Sequence, residues 1–270
     1  MIGKGTVAVV TGAGSGIGRA IVKELAQRGC SVALVDVNEK GLLESQQMMV
    51  GFSGTFTIHV ADVTREEQVA ALPEAILKEH PHIDMLFNNA GITIDRSFAD
   101  HSLQDWQKIM GINLWGVIYG CHHFLPHLVK RPQSYLVNTS SLAGFLGIPT
   151  QSSYCATKAA VRVLSEALYA EYRSRNVHVL SVHPGAVRTN IFKGAIASSQ
   201  NPEASKQMFD LVQKVAMAPD KAAAKIVLAA EKRNQRVIVG LDARMVEIIK
   251  RLIPVLIHRI FAWAFAKRFR

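Results

Sequence analysis

Tyr154 and Lys158 could do proton chemistry together, because a phenol and an ammonium can share the work of moving a proton. They stand four residues apart in a segment with a helical pattern, which puts both side chains on one helix face. A neutral phenol with a reference pKa of about 10 is a poor base at pH 7, and a nearby cation lowers that pKa. The pair could exchange a proton with an alcohol or carbonyl oxygen, although the same spacing is also typical of ordinary surface pairs.

A group of hydroxyls lies in the turn 138–144, where a predicted strand ends. Ser141 stands in this turn, 13 residues before Tyr154. Open α/β sheets bind ligands at the carboxyl ends of their strands, so a hydroxyl here could hydrogen-bond a substrate oxygen. The alternative is an ordinary turn whose hydroxyls bond to their own backbone.

The glycine-rich run 11–18 follows the first predicted strand and opens the first predicted helix. Its glycines allow a tight turn and a close approach to a pyrophosphate, and the helix N-terminus offers free N–H groups. A plain glycine-rich turn would explain the run if nothing else agreed. Asp36 does agree, because it ends the second predicted strand 18 residues beyond Gly18, where a carboxylate accepts hydrogen bonds from a ribose.

Asp36 also bears on which dinucleotide is bound. A carboxylate at this position repels a 2′-phosphate, and Ser15 and Val37 place no arginine or lysine nearby to compensate. The sequence therefore predicts that NAD is preferred to NADP.

Short apolar runs rich in β-branched residues alternate with longer helical patterns along most of the chain. This alternation predicts repeated βαβ units, and hence an α/β fold with a doubly wound parallel sheet of about seven strands in a single domain. The predicted strands are 6–10, 32–36, 57–61, 85–88, 135–139, 178–183 and 237–239, and the predicted helices are 17–28, 39–50, 65–79, 103–129, 153–173 and 219–232.

Two segments depart from this alternation. Residues 190–218 are rich in Gly, Ser, Asn and Pro, and they stand where such folds build a lid, so we predict a substrate lid there. Residues 244–270 follow the last predicted strand as a basic, amphipathic helical tail. We therefore predict a catalytic domain over 1–243 and a helical extension over 244–270.

The tail repeats apolar residues at helical spacing on both sides of Pro254, which must break or kink a helix. From residue 243 to the C-terminus, seven arginines and lysines oppose Glu247 alone, so this part carries +6 of the net charge of +10. The apolar stretch 252–265 is too short to span a bilayer, which needs about 20 apolar residues. It could lie on a membrane surface, or it could pack on a partner subunit or over the substrate pocket, and the pattern weights these two alternatives about equally.

Composition excludes several classes of protein. The chain is 49% hydrophobic and 19% charged, which is too apolar for a disordered chain. The basic excess lies mostly in the tail, which indicates an anionic surface near the tail rather than a nucleic-acid footprint. Neither the histidines nor Cys30, Cys121 and Cys155 have metal-ligand spacing, and three cysteines form no disulfide framework. We expect no metal, no secretory signal and a reducing, cytoplasmic compartment.

Taken in order, the motifs along the chain resemble those of the short-chain dehydrogenases/reductases, in the subgroup with a single Rossmann domain. The resemblance covers about residues 5–240, and each motif stands at a strand or helix end. The motifs are Thr11-Gly12-x-x-x-Gly16-x-Gly18, Asp62, Asn88-Asn89-Ala90-Gly91, Asn113, Ser141, Tyr154-x-x-x-Lys158 and Pro184-Gly185-x-Val187-x-Thr189.

The resemblance implies four catalytic residues. Tyr154 would be the general base in alcohol oxidation and the general acid in carbonyl reduction. Lys158 would bind the nicotinamide ribose and lower the pKa of Tyr154, helped by the positive charge of the oxidised nicotinamide. Ser141 would hydrogen-bond the substrate oxygen, and Asn113 would hold a water that links Lys158 to solvent. Ser140 competes with Ser141, and only the family spacing favours the latter.

The resemblance also implies where the cofactor lies. The loop 11–18 would hold the pyrophosphate, Asp36 and 89–91 the adenosine ribose, 62–63 the adenine, and 184–189 the nicotinamide. Of the two adjacent asparagines, the second is preferred as the contact residue and Asn88 as structural. The predicted cofactor-binding residues are Gly12, Ser15, Gly16, Ile17, Gly18, Asp36, Asp62, Val63, Asn89, Ala90, Gly91, Tyr154, Lys158, Pro184, Gly185, Val187 and Thr189.

The predicted function is the NAD-dependent interconversion of an alcohol and a ketone or aldehyde. A lipophilic substrate is favoured by apolar residues around the predicted lid, namely Phe145, Leu146, Ile148, Ile191, Phe192 and Met208. The family resemblance implies a homodimer or homotetramer built from helices 103–129 and 153–173. Two alternatives stay open. One is an NADP-dependent carbonyl reductase, which Asp36 disfavours; the other is a membrane-docked dinucleotide-binding protein with little catalysis, which the complete set of catalytic residues disfavours.

Overall fold

A seven-stranded parallel sheet forms the centre of the protein in a computed structural model, which describes residues 1–189, 191, 199, 203, 206, 210, 213 and 216–266. The strands are β1 Val7–Thr11, β2 Ser31–Asp36, β3 Phe56–Val60, β4 Met85–Asn88, β5 Ser134–Thr139, β6 Val177–Pro184 and β7 Arg236–Val239. Their order is β3-β2-β1-β4-β5-β6-β7, and all neighbours are parallel. The predicted fold class is confirmed.

Helices cover both faces of the sheet. They are α1 Gly16–Gln27, α2 Glu39–Gln47, α3 Glu66–Leu77, α4 Leu103–Met110, α5 Gly116–Leu128, α6 Ser152–Tyr172, α7 Pro219–Glu231, α8 Leu241–Leu252 and α9 Leu256–Phe265. Several begin at residues suited to that position. The Asn38 side chain accepts a hydrogen bond from the N–H of Gly41, Ser102 and Asp105 form a capping box, and Pro219 opens α7.

The core consists of two apolar clusters, one on each face of the sheet. Every residue of β1 is buried, as expected for a parallel strand covered on both sides. Leu25 of α1 and Ile226 of α7 belong to one cluster. Ile76 of α3, Phe124 of α5 and Val161 of α6 belong to the other.

The structure corrects one predicted helix and leaves some predicted segments undescribed. The single helix predicted over 103–129 is divided by a π-helical segment, Gly111–Trp115, which joins α4 to α5. π-helical turns occur inside longer α-helices, and the sequence pattern of a long helix does not reveal them. Most of the predicted lid 190–218, including Phe192 and Met208, and the last four residues 267–270 lie outside the described residues.

The carboxyl ends of all seven strands lie at one edge of the sheet because the strands are parallel. β1 lies between β2 and β4, so the chain's crossovers leave this point of the edge in opposite directions. Such switch points form crevices that bind ligands in doubly wound sheets. The fold therefore brings the ends of β1, β2, β4, β5 and β6 to one place.

Candidate active site

A cavity of about 630 Å³ lies at this carboxyl edge. All the residues predicted for catalysis or cofactor binding line it, except Gly18 and Asn113. Those that line it are Gly12, Ser15, Gly16, Ile17, Asp36, Asp62, Val63, Asn89, Ala90, Gly91, Ser141, Tyr154, Lys158, Pro184, Gly185, Val187 and Thr189. Motifs spread over most of the chain thus surround one space.

Ser141 and Tyr154 meet at the wall of this cavity. The Tyr154 hydroxyl is hydrogen-bonded to the Ser141 side chain, and Ser141 Oγ accepts a hydrogen bond from the N–H of Ala143 at 3.1 Å. The neighbouring Ser140 instead donates its hydroxyl to the carbonyl of Lys158 at 2.7 Å. Ser141, rather than Ser140, is therefore the serine bonded to the phenol.

Lys158 is only 3% exposed although it carries an ammonium group. Its Nζ donates to the carbonyl of Thr139 at 2.8 Å and lies 5.8 Å from the centre of the Tyr154 ring. Within the described part of the chain, no carboxylate forms an ion pair with it. Burial without a counter-charge lowers the pKa of Lys158 from 10.5 to about 8.

Burial acts on the pKa of Tyr154 against the lowering that is expected from Lys158 and the oxidised nicotinamide. Burial raises this pKa above 10.0, and the hydrogen bond with Ser141 opposes this only in part. The ammonium of Lys158 is directed to the carbonyl of Thr139, and its burial weakens its hold on a proton. The lowering of the Tyr154 pKa by Lys158 together with the oxidised nicotinamide stays a prediction.

Asn113 lies in the π-helical segment behind the cavity and is fully buried. Its side chain bonds to both backbone groups of Ile92, since Oδ1 accepts from the N–H and Nδ2 donates to the carbonyl, each at 2.9 Å. Nδ2 also donates to Thr157 Oγ1 at 3.3 Å. The side chain therefore holds the loop after β4 against α6, and the water contact predicted for Asn113 stays a prediction.

Gly12 and Gly18 show why the first loop needs glycine. Gly12 has φ +70°, and a Cβ atom there would come within 2.9 Å of the Ala90 Cα. A Cβ atom at Gly18 would come within 2.1 Å of the Gly12 carbonyl oxygen, so Gly18 packs α1 against the loop instead of lining the cavity. Ser15 makes no side-chain cap bond and the first turn of α1 holds no acidic residue, which leaves its N–H groups for an anion.

Asp36 is held at the cavity by two backbone hydrogen bonds. Its Oδ2 accepts from the N–H of Gly14 and its Oδ1 from the N–H of Asn38, each at 2.9 Å. Arg19, on the first helix, donates to the carbonyl of Gly14 and to the carboxylate of Glu44. The Arg19 guanidinium is therefore engaged with the loop and with an ion pair.

The two adjacent asparagines of the Asn88-Asn89 motif have different surroundings. Asn88 is 2% exposed and donates to Asn138 Oδ1 in the core at 2.9 Å. Asn89 lines the cavity and donates to the carbonyl of Thr11 at 3.1 Å. Asn89 therefore lies where the cofactor is expected, and Asn88 ties β4 to β5.

Asp242 lines the cavity but was missed by the sequence analysis. It lies in the first turn of α8, and its Oδ2 accepts a hydrogen bond from the N–H of Ala186 at 2.6 Å. It therefore ties the tail to the loop 184–189. An acidic residue directly after the last strand was the available signal. Further lining residues that were not predicted include Ile92, Thr93, Ile112, Thr139, Leu142, Ala143 and Gln151.

Burial shifts the pKa values of several other titratable groups in the described residues. Over the residues that the structure describes, no group of three His, Cys, Asp or Glu side chains could hold a metal ion. Burial raises the pKa of Cys121 to about 12 and that of Cys30 to about 11, so neither thiol ionises near neutral pH. Burial lowers the pKa of His183 to about 4, so it stays neutral while its Nδ1 donates to the carbonyl of Ser141 at 3.2 Å.

Comparisons with known proteins agree on a family. The family model described as short chain dehydrogenase matches residues 6–200. The protein named "Putative oxidoreductase SadH" of Mycobacterium tuberculosis is 34% identical over 270 residues, which cover 98% of this chain and 97% of that protein. A short-chain dehydrogenase/reductase from Burkholderia phymatum, crystallised in complex with NAD, has a TM-score of 0.85 at 28% identity, covering 95% of this chain and 96% of that chain.

A second solved structure supports the same assignment. Levodione reductase has a TM-score of 0.81 at 29% identity, covering 90% of this chain and 98% of that chain. The family match spans the glycine-rich loop, Ser141, Tyr154 and Lys158. This chain belongs to the short-chain dehydrogenase/reductase family and is an NAD(P)-dependent oxidoreductase that acts on CH–OH groups.

Proposed function

We propose that the protein uses NAD to interconvert an alcohol and a ketone or aldehyde, with Tyr154 as general acid and base. The observation that carries this proposal is one cavity lined both by Asp36 and by Ser141, Tyr154 and Lys158. A dinucleotide in this cavity would have its adenosine ribose at Asp36 and its nicotinamide at Tyr154.

The residues present suit NAD better than NADP. The carboxylate of Asp36 would accept ribose hydroxyls and repel a 2′-phosphate. Val37, the next residue, is 67% exposed and brings no charge, and Arg19 is already engaged by Gly14 and Glu44. The N–H groups at the start of α1 would face the pyrophosphate.

The side chains at the other part of the cavity divide the work of proton transfer. NAD, when bound, supplies the carbon that takes up the hydride and a positive charge beside the phenol. The Ser141 hydroxyl would hydrogen-bond the substrate oxygen. Because Ser141 and Tyr154 are neighbours in the cavity wall, that oxygen would lie next to the Tyr154 hydroxyl. Tyr154 takes the alcohol proton in oxidation and returns it in reduction, and Lys158 adds its own charge from below the ring.

Apolar side chains support a lipophilic substrate. Those that line the cavity include Ile92, Ile112, Leu142, Ile148 and Ile191. Two residues predicted for this role lie elsewhere, because the Phe145 ring stacks on His183 at 4.4 Å and Leu146 is 6% exposed outside the cavity lining. Alcohols and ketones with hydrocarbon substituents would bury apolar surface here, while polyols would lose hydrogen bonds to water.

The helices that the resemblance assigns to subunit contacts support a homodimer or homotetramer. Trp115, between α4 and α5, is 48% exposed and Val163 of α6 is 51% exposed, so large apolar side chains are available there. The three cysteines are free and buried, which suits the reducing cytoplasm that we propose as the compartment. Sedimentation velocity at micromolar concentration should show a dimer or a larger oligomer, and a monomer alone would contradict the proposed homodimer or homotetramer.

Fluorescence titration with NADH and NADPH tests the cofactor. We expect the purified chain to bind NADH more tightly by about tenfold or more, and Asp36→Asn to lower that preference by about tenfold, because it keeps an oxygen acceptor and loses the charge. The matched control is Asp220→Asn, which removes an exposed carboxylate paired with Lys23 and should leave the ratio unchanged. Preference for NADPH in the unmodified chain would overturn the NAD proposal.

A panel of alcohols tests the substrate class. With NAD in excess, secondary and primary alcohols of increasing chain length should give rising kcat/KM, by roughly threefold per added methylene that becomes buried. Turnover of small polyols or sugars in preference to these alcohols would contradict the lipophilic substrate while leaving the reaction class intact.

A further inference from the structure

Helix α8 turns its apolar side to solvent. Leu241 is 79% exposed, Met245 61%, Ile248 45%, Ile249 37% and Leu252 76%. These residues follow each other at i, i+4, i+7, i+8 and i+11, so they form one continuous stripe along the helix. We call this stripe, together with the exposed apolar side chains of α9, the tail face.

The opposite side of α8 is the one that packs on the domain, and it is partly polar. Ala243 is 0% exposed and Glu247 is 7% exposed. The Glu247 carboxylate lies 2.6 Å from Arg251 Nε and 3.3 Å from Arg236 Nη2, which belongs to β7. A helix on the surface of a globular protein normally buries its apolar side and exposes its charged side chains. In α8 the apolar stripe is exposed and the charged Glu247 is buried, so the apolar stripe is not needed for packing within the chain.

Helix α9 also exposes apolar side chains. Leu256 and Ile260 are each 50% exposed and Trp263 is 82% exposed, again at i, i+4 and i+7. Ile257 is 4% exposed and anchors α9 to the rest of the protein. The tail face therefore presents eight large apolar side chains on two consecutive helices, which is more than the scattered apolar residues of an ordinary surface.

The charges around the tail face are of one sign. Arg244 and Arg251 lie seven residues apart along one edge of the stripe, and Arg259 of α9 is exposed as well. The acidic residues of these two helices are engaged elsewhere, since Asp242 accepts from Ala186 and Glu247 is ion-paired and buried. The sequence then continues with Lys267, Arg268 and Arg270.

The positive charge and the apolar residues of the tail face favour one binding partner over another. A second copy docked symmetrically on the tail face would bring the same cations together, which is unfavourable. Across the part of the chain that is described, no helix is long and apolar enough to cross a membrane. An anionic lipid surface would accept the apolar stripe at its headgroup boundary and pair its phosphates with the arginines.

We propose that the tail face docks the protein on an anionic phospholipid bilayer, with α8 and α9 lying in the plane of the interface. Trp263 and the apolar stripe enter the headgroup boundary, and Arg244 and Arg259 contact lipid phosphates. The proposal is independent of the reaction catalysed, because none of these side chains lines the cavity.

Vesicle co-sedimentation of the full chain tests this proposal. At low salt, the protein should pellet with vesicles that contain phosphatidylglycerol and phosphatidylcholine and stay in solution with phosphatidylcholine alone. Raising the ionic strength should release it, because screening weakens the contacts between arginine and phosphate. Failure to bind phosphatidylglycerol vesicles at low salt would overturn the proposal.

Two double variants separate the apolar and electrostatic parts. Ile249→Gln with Leu252→Gln, and Arg244→Gln with Arg259→Gln, should each lower the partition coefficient by about tenfold or more. The control is Leu43→Gln, since Leu43 is 50% exposed on α2, away from the tail. Equal binding by both double variants and the control would contradict the proposal. So would loss of a dimer in sedimentation velocity, which would assign the surface to a second copy.

Tryptophan fluorescence gives a second measurement that does not depend on pelleting. Emission should shift to the blue on addition of anionic vesicles as Trp263 leaves water, and Trp263→Phe should abolish the shift. Trp106 and Trp115 remain in that variant and report whether the domain is still folded. A shift that persists in Trp263→Phe would place the lipid contact elsewhere and overturn the proposed orientation.

Discussion

Helices α6 and α8 each bury one charged side chain, but they surround it differently. Lys158 of α6 is 3% exposed and has the Thr139 carbonyl as its hydrogen-bond acceptor at 2.8 Å. Glu247 of α8 is 7% exposed and has two arginines within 3.3 Å. Burial lowers the pKa of Lys158 to about 8, whereas the carboxylate of Glu247 is balanced by charge.

We interpret Lys158 as a group that the proposed reaction needs, and Glu247 as a group that attaches α8 to the rest of the protein. A buried cation without a counter-charge costs stability, and it persists where the reaction needs a cation at that point. A buried anion between two cations holds one element on another. By this comparison, the inner side of α6 is the side that we propose for the reaction, and the inner side of α8 joins the tail to β7.

The largest expected effect is on turnover, from Tyr154→Phe at the inner side of α6. Loss of the general acid and base should lower kcat by about 10²- to 10⁴-fold, while NADH affinity stays within a few-fold. Tyr169→Phe on the same helix removes a hydroxyl outside the cavity and should leave kcat unchanged. Steady-state kinetics and NADH titration measure both. If Tyr154→Phe kept its kcat, the proposed role of this phenol as general acid and base would be wrong.

The next effect concerns stability, from Lys158→Met. Removing the uncompensated ammonium should raise the free energy of unfolding at pH 7 by about 1–3 kcal/mol, after allowing for the lost hydrogen bond to Thr139. It should also abolish turnover. Urea unfolding of the variant and of Lys225→Met, an exposed lysine of α7, provides the comparison.

The same substitution predicts a pH dependence with a definite sign. Because the pKa of Lys158 is about 8 in the folded chain and 10.5 ordinarily, the unfolded state binds more protons between these values. Stability of the unmodified chain should therefore rise as pH increases from about 8 to 10.5, and this part of the rise should be missing in Lys158→Met. Parallel pH profiles for the two proteins would show that Lys158 is not buried as a cation.

The spacing of residues in the sequence was sufficient to predict the site residues where a motif coincides with a strand end. Asp36, Ser141 and the loop 11–18 each follow an apolar run, and parallel strands must bring such ends to one edge. The choice between Ser140 and Ser141 depended on family spacing. The structure separates them physically, because the Ser140 hydroxyl is bonded to a backbone carbonyl of α6.

The spacing of residues was insufficient where the structure depends on which side of a helix packs against the domain. The pattern of α8 shows an apolar stripe, but it does not show that Glu247, rather than the stripe, is turned to the domain. The π-helical segment 111–115 and the contact between Asp242 and Ala186 were missed for a related reason, since both depend on tertiary packing. The upward effect of burial on the pKa of Tyr154 is likewise not visible in the spacing of two residues.

A smaller effect on the free energy of unfolding is expected from a substitution on the buried side of α8. Glu247→Gln keeps the shape and removes the charge, and it should lower the free energy of unfolding by about 1–2 kcal/mol. The cost is limited because the Arg251 and Arg236 side chains are 64% and 37% exposed, so water screens them once the carboxylate is lost. Urea unfolding measures the loss, and kcat should stay within about twofold. A fall in kcat comparable to that of Tyr154→Phe would mean that this contact also supports the site.

The smallest effect is expected on the outer side of α8, from Leu252→Gln. Leu252 is 76% exposed, so its removal should change the free energy of unfolding by no more than about 0.5 kcal/mol. Ile257→Ala on α9, where the side chain is 4% exposed, is the matched comparison and should cost about 2 kcal/mol or more. Urea unfolding at two protein concentrations measures the change in the free energy of unfolding and whether that change depends on association of two chains. A neutral, concentration-independent result means that the apolar stripe stabilises no fold within this chain and stays available to an external surface, whereas a loss that grows on dilution would mean that a second copy covers it.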